Sequence, residues 1–336
     1  MLFHDYYTES YDSIPMAIIS EEDSEGGTPL IKKPYHLRGF GVDKFFDGPV
    51  DGVFSLSERK LGTDYDPLLR LWNPATRVVT TLPPVPFKLQ PFLENTDNYC
   101  GFGFDPPFTS NYKVVWVHQF SYYDGMFGRS YGAVYSSSTN SWRILKHKHH
   151  KILNSTHSIN TTCNSSGYLN GTYYWIDNSD CSLLSFDFGN EVFRKNRGLH
   201  VPRVCSTVLI LRDGSINIMA EGFNSEFTLW LMIEPGVWNK LLTFQCSSLI
   251  EPLYHGLWDS TTVIFLDRSS WLFSYDIVTQ ETKHLGFQRQ GELYFCSVHY
   301  YDESLVTIKS SSSSSLLYTI AASIVYRNVD ALLYRN

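Results

Sequence analysis

The chain is poor in charge: 18% of its 336 residues are Asp, Glu, Lys or Arg, against 43% hydrophobic. That balance excludes a disordered protein. Close cysteine pairs are absent. The six cysteines stand at 100, 163, 181, 205, 246 and 296, with no CxxC pair to build a zinc ribbon or a thioredoxin-like centre. The N-terminal stretch MLFHDYYTESYDSIPMAII has no basic region followed by an apolar one, so no signal peptide is visible. The longest apolar stretch near the end, Leu316–Tyr326, falls short of the roughly 20 residues that cross a bilayer, and no membrane partner is expected. No segment keeps a 3.6-residue apolar period over three turns, which predicts little helix.

Catalytic signatures are missing as well. No G-x-S-x-G elbow and no P-loop occurs, and Gly101-Phe102-Gly103 lacks the third glycine of a dinucleotide fingerprint. His147, His149 and His150 have no carboxylate or cysteine at ligand spacing beside them. The run Arg143–Lys151 that contains them reads as a solvated, polar hairpin edge. Ser136–Trp142 keeps the outer Ser and Trp of the S-x-D-x-G-x-x-W turn of sialidase-like blades but has Ser138 and Asn140 inside it. It therefore works as a turn. The expectation is a non-enzyme without metal or cofactor.

A net charge of −7 repels phosphates and argues against nucleic acid as a partner. The acid is concentrated early, with eleven acidic against six basic residues in positions 1–60. A chain of this length holds together without disulfides, so the cysteines read as free thiols in a reducing compartment, the cytoplasm with the nucleus as a second location. Four triplets starting at Asn154, Asn160, Asn164 and Asn170 fit glycosylation acceptors, but without a signal peptide they read as a polar loop.

What the sequence has in quantity is aromatic side chains: 22 Tyr, 22 Phe and 8 Trp, which suit a half-buried pleated surface. Apolar runs alternate with Asp51-Gly52, Asp124-Gly125, Asn170-Gly171 and Asp213-Gly214, pairs that tolerate the positive φ of two-residue hairpins. A looser repeat joins them. An apolar run ending in an aromatic passes through a short polar turn into a second run, as at Trp72, Phe104, Tyr135, Phe186, Trp230 and Tyr275. The last three are 44 and 45 residues apart, the period of a four-stranded propeller blade. Such blades cover one another around an axis. The expected fold is all-β, a propeller-like stack of antiparallel sheets with an open blade number; a pair of packed sheets is the rival. The expected division is a leading segment over 1–44 that starts the β domain, a propeller over 45–309, a serine linker over 310–315, and a tail or last strand over 316–336.

Several of these segments resemble plant F-box-associated domains. Leu71-Trp72-Asn73-Pro74-Ala75-Thr76-Arg77 with Leu82-Pro83 resembles their WNPxTR…LP segment. Gly101–Pro106 with Asn111–Val115 resembles GFGYD…NDYKVV, and Val134–Ser136 with Thr139–Arg143 resembles VYSLxTNSWR. Asn170-Gly171-Thr172 with Trp175 is similar to xNGxxHW, with Tyr174 in place of the His, and Leu184–Asp187 with Glu191 and Phe193 is similar to ILSFDxxxExF. The later part, through Trp230–Met232, Ser274–Asp276 and Tyr301–Val306, looks most like the S-locus F-box group.

The resemblance implies a module that holds a protein target for ubiquitin transfer, a basic ribonuclease if the S-locus likeness holds. The family's F-box, which docks a Skp adaptor and a cullin scaffold, has no counterpart in residues 1–45, so Skp and cullin are expected partners only with an F-box upstream. Target capture needs exposed aromatic and Arg anchors on loops. The candidates are Tyr122, Tyr123, Met126, Phe127 and Arg129 around Asp124-Gly125, followed by Tyr254, His255 and Trp258. A propeller that binds or cleaves glycans is the alternative reading.

Overall fold

The computed structural model describes residues 2–5, 13–20, 30–38, 44–58, 68–86, 95–104, 111–121, 130–146, 149–154, 159, 165–177, 179–199, 206–212, 214–222, 226–245, 256–257, 261–266, 269, 271–288, 296–299 and 301–308. These residues form six four-stranded antiparallel sheets. Five are built from consecutive strands. Blade 2 has β4 (Lys44–Val50), β5 (Val53–Glu58), β6 (Leu68–Asn73) and β7 (Val78–Thr81). Blade 3 has β8 (Asn95–Phe104), β9 (Tyr112–Ser121), β10 (Ser130–Ser136) and β11 (Ser141–Ile144). Before blade 4 comes α1 (His150–Leu153). Blade 4 then has β12 (Ser166–Leu169), β13 (Thr172–Asp177), β14 (Ser182–Asp187) and β15 (Val192–Asn196). Blade 5 has β16 (Ser206–Arg212), β17 (Ser215–Glu221), β18 (Glu226–Glu234) and β19 (Val237–Gln245). Blade 6 has β20 (Gly256–Leu257), β21 (Thr262–Leu266), β22 (Trp271–Asp276) and β23 (Thr282–Gln288).

The remaining sheet, blade 1, combines both ends of the described chain. Strands β1 (Leu2–Asp5), β2 (Ser13–Ser20) and β3 (Leu30–Arg38) pair with β24 (Cys296–His299) through β1. First strands touch from blade to blade, β4 with β8, β8 with β12, β12 with β16 and β16 with β20, which makes the stack a β-propeller. Blade 1 meets blade 2 where His299 packs edge-on against Phe54 with ring centroids 5.5 Å apart. The chain then runs on from Tyr301 along blade 2. There Asn73 Nδ2 donates to the Ser304 and Val306 carbonyls at 2.8 and 2.9 Å, and Thr80 Oγ1 donates to the Ile308 carbonyl at 3.1 Å.

The turn chemistry follows the sequence. Asp51-Gly52 and Asn170-Gly171 hold φ of 47° and 74°, and 49° and 82°, the two positive values of a type I′ hairpin; each joins the first and second strands of its blade. The aromatics at 186, 230 and 275 fall on β14, β18 and β22, the third strand of blades 4, 5 and 6, as Trp72 on β6 and Tyr135 on β10 do in blades 2 and 3. After four of them the chain turns in the same way. Asn73, Ser136, Asp187 and Asp276 end the strand, and four residues on Arg77, Asn140, Glu191 and Gln280 have positive φ. Asn73 Oδ1 accepts from the Ala75 and Thr76 amides, and Asp276 Oδ1 from those of Val278 and Thr279, at 2.8–3.3 Å. A short polar side chain at that position replaces the ladder bond lost at the turn.

Phe104 belongs to a different hairpin. It ends β8, the first strand of blade 3, so its spacing to Trp72 and Tyr135 carries no period. The basic run from Arg143 keeps the expected solvated edge at Arg143, Lys146 and Lys151, all exposed, and departs from it at His149. Arg143 lies on β11 and His150 opens α1, while His149 is buried at 4% exposure with its ring 6.0 Å from Phe193. Among the described residues no group of His, Cys, Asp and Glu could hold a metal ion, and no helix is long and apolar enough to cross a membrane. Cys100 and Cys181 are free thiols.

Two glycines on β8 set the distance between blades 3 and 4. A Cβ on Gly101 would stand 2.7 Å from Trp175 Cζ2 and 2.8 Å from Tyr173 Cγ; one on Gly103 would stand 2.6 Å from ring carbons of Phe188 and Tyr168. These rings belong to blade 4; Trp175, Tyr173 and Phe188 are buried and Tyr168 is half-buried against them, so there is little room for them to yield. Overpacking of this kind costs about 1–3 kcal/mol. Gly103→Ala is expected to lower the urea midpoint accordingly. Gly189→Ala, whose Cβ meets only the Asp187 carboxylate at 3.4 Å, should stay within about 0.5 kcal/mol of the parent.

Candidate functional site

Antiparallel strands reverse direction at each step, so the two sides of the ring differ. First-to-second and third-to-fourth connections open on one side; second-to-third and blade-to-blade connections open on the other. Within blades 2–6 the first side carries short turns, 51–52, 74–77, 137–140, 170–171, 188–191 and 235–236, and nothing longer than 105–111. The second side carries 59–67, 82–94, 122–129, 145–165, 197–205 and 246–255, together with three four-residue connections, 178–181, 222–225 and 267–270. The ring therefore presents a trimmed side and a long-connection side, which carries every connection longer than seven residues within blades 2–6.

The trimmed side is stitched from blade to blade. Arg143 of β11 and Lys113 of β9 both pair with Glu191, the positive-φ residue of the β14–β15 turn, and Lys113 Nζ also donates to the Phe188 carbonyl at 3.1 Å. At the outer rim, apart from the trimmed side, two tryptophans near the start of fourth strands reach the first residues of blade-to-blade connections. Trp142 Nε1 donates to the Pro83 carbonyl at 2.8 Å and Trp238 Nε1 to the Arg197 carbonyl at 3.0 Å, in each case just past the fourth strand of the preceding blade. Asn73, Lys113, Trp142, Arg143, Trp175 and Glu191 all come from the segments that resemble the plant family. They act here as joints between blades or as ties to the closing segment.

Near the axis, first strands bring polar groups together. Asp47 of β4 accepts from Cys100 Sγ of β8 and from Ser166 Oγ of β12, both at 3.1 Å. Tyr173 OH lies 3.2 Å from Ser166 Oγ, and Ser55 Oγ lies 3.6 Å from Cys100 Sγ. Burial raises the Asp47 carboxyl to about 6 against the help of its two donors, and burial together with the nearby Asp47 charge pushes the Cys100 thiol well up. A thiol held in its protonated form is a poor nucleophile. The arrangement binds three blades through one shared carboxyl. Beside it, burial lowers His299 to about 4 against the opposing hydrogen bond to the Gly48 backbone.

The second polar group lies on the long-connection side of blade 4. Lys195 Nζ stands 3.1 Å from Asp177 Oδ2 and 3.2 Å from Asp180 Oδ2. Asp177, with no exposed surface, takes a further pair of hydrogen bonds from Ser179, and Asp180 Oδ1 accepts from the Ser182 amide at 3.0 Å. An open cavity of about 430 Å³ is lined by Asp180, Ser182, Lys195, Asn196, Arg197 and Leu199.

The residues singled out from the sequence as anchors, Tyr122, Tyr123, Met126, Phe127, Arg129, Tyr254, His255 and Trp258, lie outside the described residues. The first five belong to the β9–β10 connection and Tyr254 and His255 to the β19–β20 connection, both of the long-connection side; Trp258 follows β20. Neither polar group was anticipated. Its only trace in the sequence is an acid at the end of an apolar, aromatic run, Phe45-Phe46-Asp47 and Tyr173-Tyr174-Trp175-Ile176-Asp177.

Comparison with known proteins agrees with this frame. A family described as "F-box associated beta propeller domain" matches residues 62–319. The Arabidopsis thaliana F-box/kelch-repeat protein At3g23880 is 27% identical over 205 residues, 57% of this chain and 52% of the relative. A protein named as an F-box protein of the same plant, At3g10430, is 30% identical over 151 residues, 43% of this chain and 37% of the relative. The chain thus spans about a third to a half of the curated relatives it matches. Among solved structures, a chain of a nidogen/laminin complex aligns with TM-score 0.47 at 12% identity, covering 88% of this chain and 97% of that one. A polysaccharide lyase of the ulvan lyase type aligns with TM-score 0.42 at 13% identity, covering 81% and 73%. With its residues from 62 to 319 matched, the chain belongs to the F-box-associated β-propeller family.

Proposed function

We propose that this propeller is the target-holding part of a plant F-box protein, gripping a protein substrate with its long-connection side. The observation that supports the reading is the asymmetry of the ring: within blades 2–6 every connection longer than seven residues opens on one side, while the other has none longer than 105–111. Binding residues belong on variable connections held by a rigid scaffold. The F-box portion of such a protein would dock a Skp adaptor and a cullin, and the propeller would present the target for ubiquitin transfer. Tyr122, Tyr123, Met126, Phe127 and Arg129, with Tyr254 and His255, are the proposed anchors. A basic target, such as a ribonuclease of an S-locus system, would suit the net charge of −7.

A pull-down from plant extract tests the reading by side. Tyr123→Ala with Phe127→Ala is expected to cut recovery of the bound protein about tenfold or more, as loss of hot-spot aromatics does. Val278→Glu, at a 71% exposed position in a turn of the trimmed side, should leave recovery unchanged. The reverse pattern would refute the assignment of sides. Capture of saccharides on a glycan array with no protein recovered would favour the glycan-binding alternative.

A further inference from the structure

We infer that residues 301–308 are a releasable latch on blade 2, and that the side-chain amide of Asn73 is the catch that holds it shut. The ring is closed twice where the two ends of the described chain meet. In blade 1, β24 pairs with β1 over Cys296–His299 and Leu2–Asp5. Beyond β24 the segment from Tyr301 lies on blade 2 outside any sheet, and among the described residues 302–308 form no backbone-to-backbone hydrogen bond. Side chains of blade 2 hold it by its main-chain carbonyls instead. Those of Ser304 and Val306 accept from Asn73 Nδ2, and that of Ile308 accepts from Thr80 Oγ1. Tyr301 and Ile308 are buried at its two ends, while Asp302, Glu303 and Leu305 between them are exposed. On release, water takes over the freed carbonyls and their donors, so each bond contributes little net to the hold. A segment fixed in this way opens at lower free energy than the ladder strands around it.

The repeated turn separates the catch from ordinary turn chemistry. The position of Asn73 is taken by Asp187 in blade 4 and by Asp276 in blade 6, and a carboxylate caps those turns well. Asp187 Oδ1 accepts from the Asn190 amide, and Asp276 Oδ1 from the amides of Val278 and Thr279. Their second oxygens accept too, from Asn190 Nδ2 and from Thr261 Oγ1. Asn73 Oδ1 makes the same cap in blade 2. Only its other side-chain atom differs: it donates, and both of its acceptors lie on 301–308. The amide therefore serves the latch, since the turn alone would accept a carboxylate. The bed beneath is shaped to match. A Cβ on Gly52 would stand 2.6 Å from Ser304 Cβ and 2.8 Å from the Asp302 carbonyl oxygen, so the latch rests directly on the 51–52 turn. The Tyr301 ring lies 5.8 Å from Phe54, which also meets Trp72 and His299. Release thus opens the seam between blades 1 and 2 and leaves the ladders of both in place.

Thiol labelling of the whole chain under native conditions tests the latch and needs no target protein. Ile308→Cys and Leu71→Cys replace similar aliphatic side chains, one at the end of the latch and one in β6, both buried. Alkylation by iodoacetamide, located at each position by peptide mass spectrometry, reports how often that position opens. The thiol at 308 should react at least about tenfold faster than the thiol at 71, because the latch opens while blade 2 stays folded. Asn73→Asp keeps the turn cap and sets a carboxylate oxygen against the two carbonyls. It should speed labelling at 308 about tenfold or more and leave labelling at 71 within about twofold. Thr80→Val removes one donor at nearly constant shape, and should speed labelling at 308 about threefold with no effect at 71; it carries the test alone if Asn73→Asp does not fold. Far-ultraviolet circular dichroism identical to the parent confirms that the blades are intact in each variant. Equal rates at 308 and 71 would mean that 301–308 leaves only when the ring unfolds. That result, or variants that speed both positions alike or neither, would overturn the inference.

Discussion

Replacing Trp175 with alanine is expected to cost about 3–5 kcal/mol, the range for deleting a large buried ring. The residue lies on β13 of blade 4 and is 1% exposed. Its ring stands 4.9 Å from Tyr173, 5.5 Å from Tyr99 of β8 and 6.4 Å from Phe193. Its Nε1 donates to the Cys100 carbonyl at 3.0 Å. One side chain therefore fills the gap that Gly101 leaves on β8 and carries the hydrogen bond across the blade 3–blade 4 joint. Native domains are stable by about 5–15 kcal/mol, so the loss would consume a large share of the total.

Trp175→Phe separates the two contributions. It keeps most of the ring contact and forfeits the donor, and a cost of about 1–3 kcal/mol is expected from the carbonyl left without it. Trp238→Ala should cost about 1 kcal/mol, because its hydrogen bond to the Arg197 carbonyl lies at the exposed rim. Urea unfolding followed by tryptophan fluorescence and by far-ultraviolet circular dichroism would rank the three. A Trp175→Ala loss below about 1 kcal/mol, or equal to that of Trp238→Ala, would remove this residue from the centre of the joint.

The ranking also shows what a linear sequence can and cannot convey. Local geometry was legible: Asp51-Gly52 and Asn170-Gly171 announce two-residue turns because few residues accept positive φ twice in succession. The third-strand aromatics at 186, 230 and 275 gave the blade period because each blade must place a large ring against its neighbour. Phe104-Asp105 mimicked that pattern, since a first strand facing blade 4 is as aromatic as a third strand, and only the pairing of β8 with β9 tells them apart. The purpose of Gly101 and Gly103 was hidden for the same reason. Their neighbours Trp175, Tyr173, Phe188 and Tyr168 come from the next blade, some seventy residues later in the chain. Arg143 is solvated, as the basic run suggested, but its partner Glu191 belongs to a turn in another blade and left no sign beside it in the chain. The carboxylates Asp47 and Asp177 were invisible as sites because an acid closing an apolar strand looks like any strand end until its partners are known.

The shared carboxyl at the axis leads to the second large effect, on stability as a function of pH. Asp47 rises to about 6 in the folded protein from a reference of 3.8. Between those values the folded state binds more protons than the unfolded one, so its contribution to stability is present at low pH and falls as pH rises. His299 behaves in the opposite sense. It drops to about 4 from a reference of 6.5, so between those values the folded state binds fewer protons and stability rises with pH. Over pH 4 to 6 the two slopes oppose each other and largely cancel. Each alone amounts to roughly 3 kcal/mol across its window, at about 1.4 kcal/mol per pKa unit. Asp47→Asn should therefore expose the histidine: relative to the parent, its stability climbs by roughly that amount between pH 4 and 6. His299→Gln, which retains a donor for the Gly48 backbone, should expose the carboxyl and fall over the same interval. Burial raises Glu221 as well, to about 7, but that group is common to all three proteins and drops out of the differences. Urea unfolding of parent and variants at half-unit steps from pH 4 to 7 gives the three curves. Curves that stay parallel to the parent would mean that neither group changes its proton affinity on folding, and the enclosed carboxyl that ties β4, β8 and β12 together would have to be open to water.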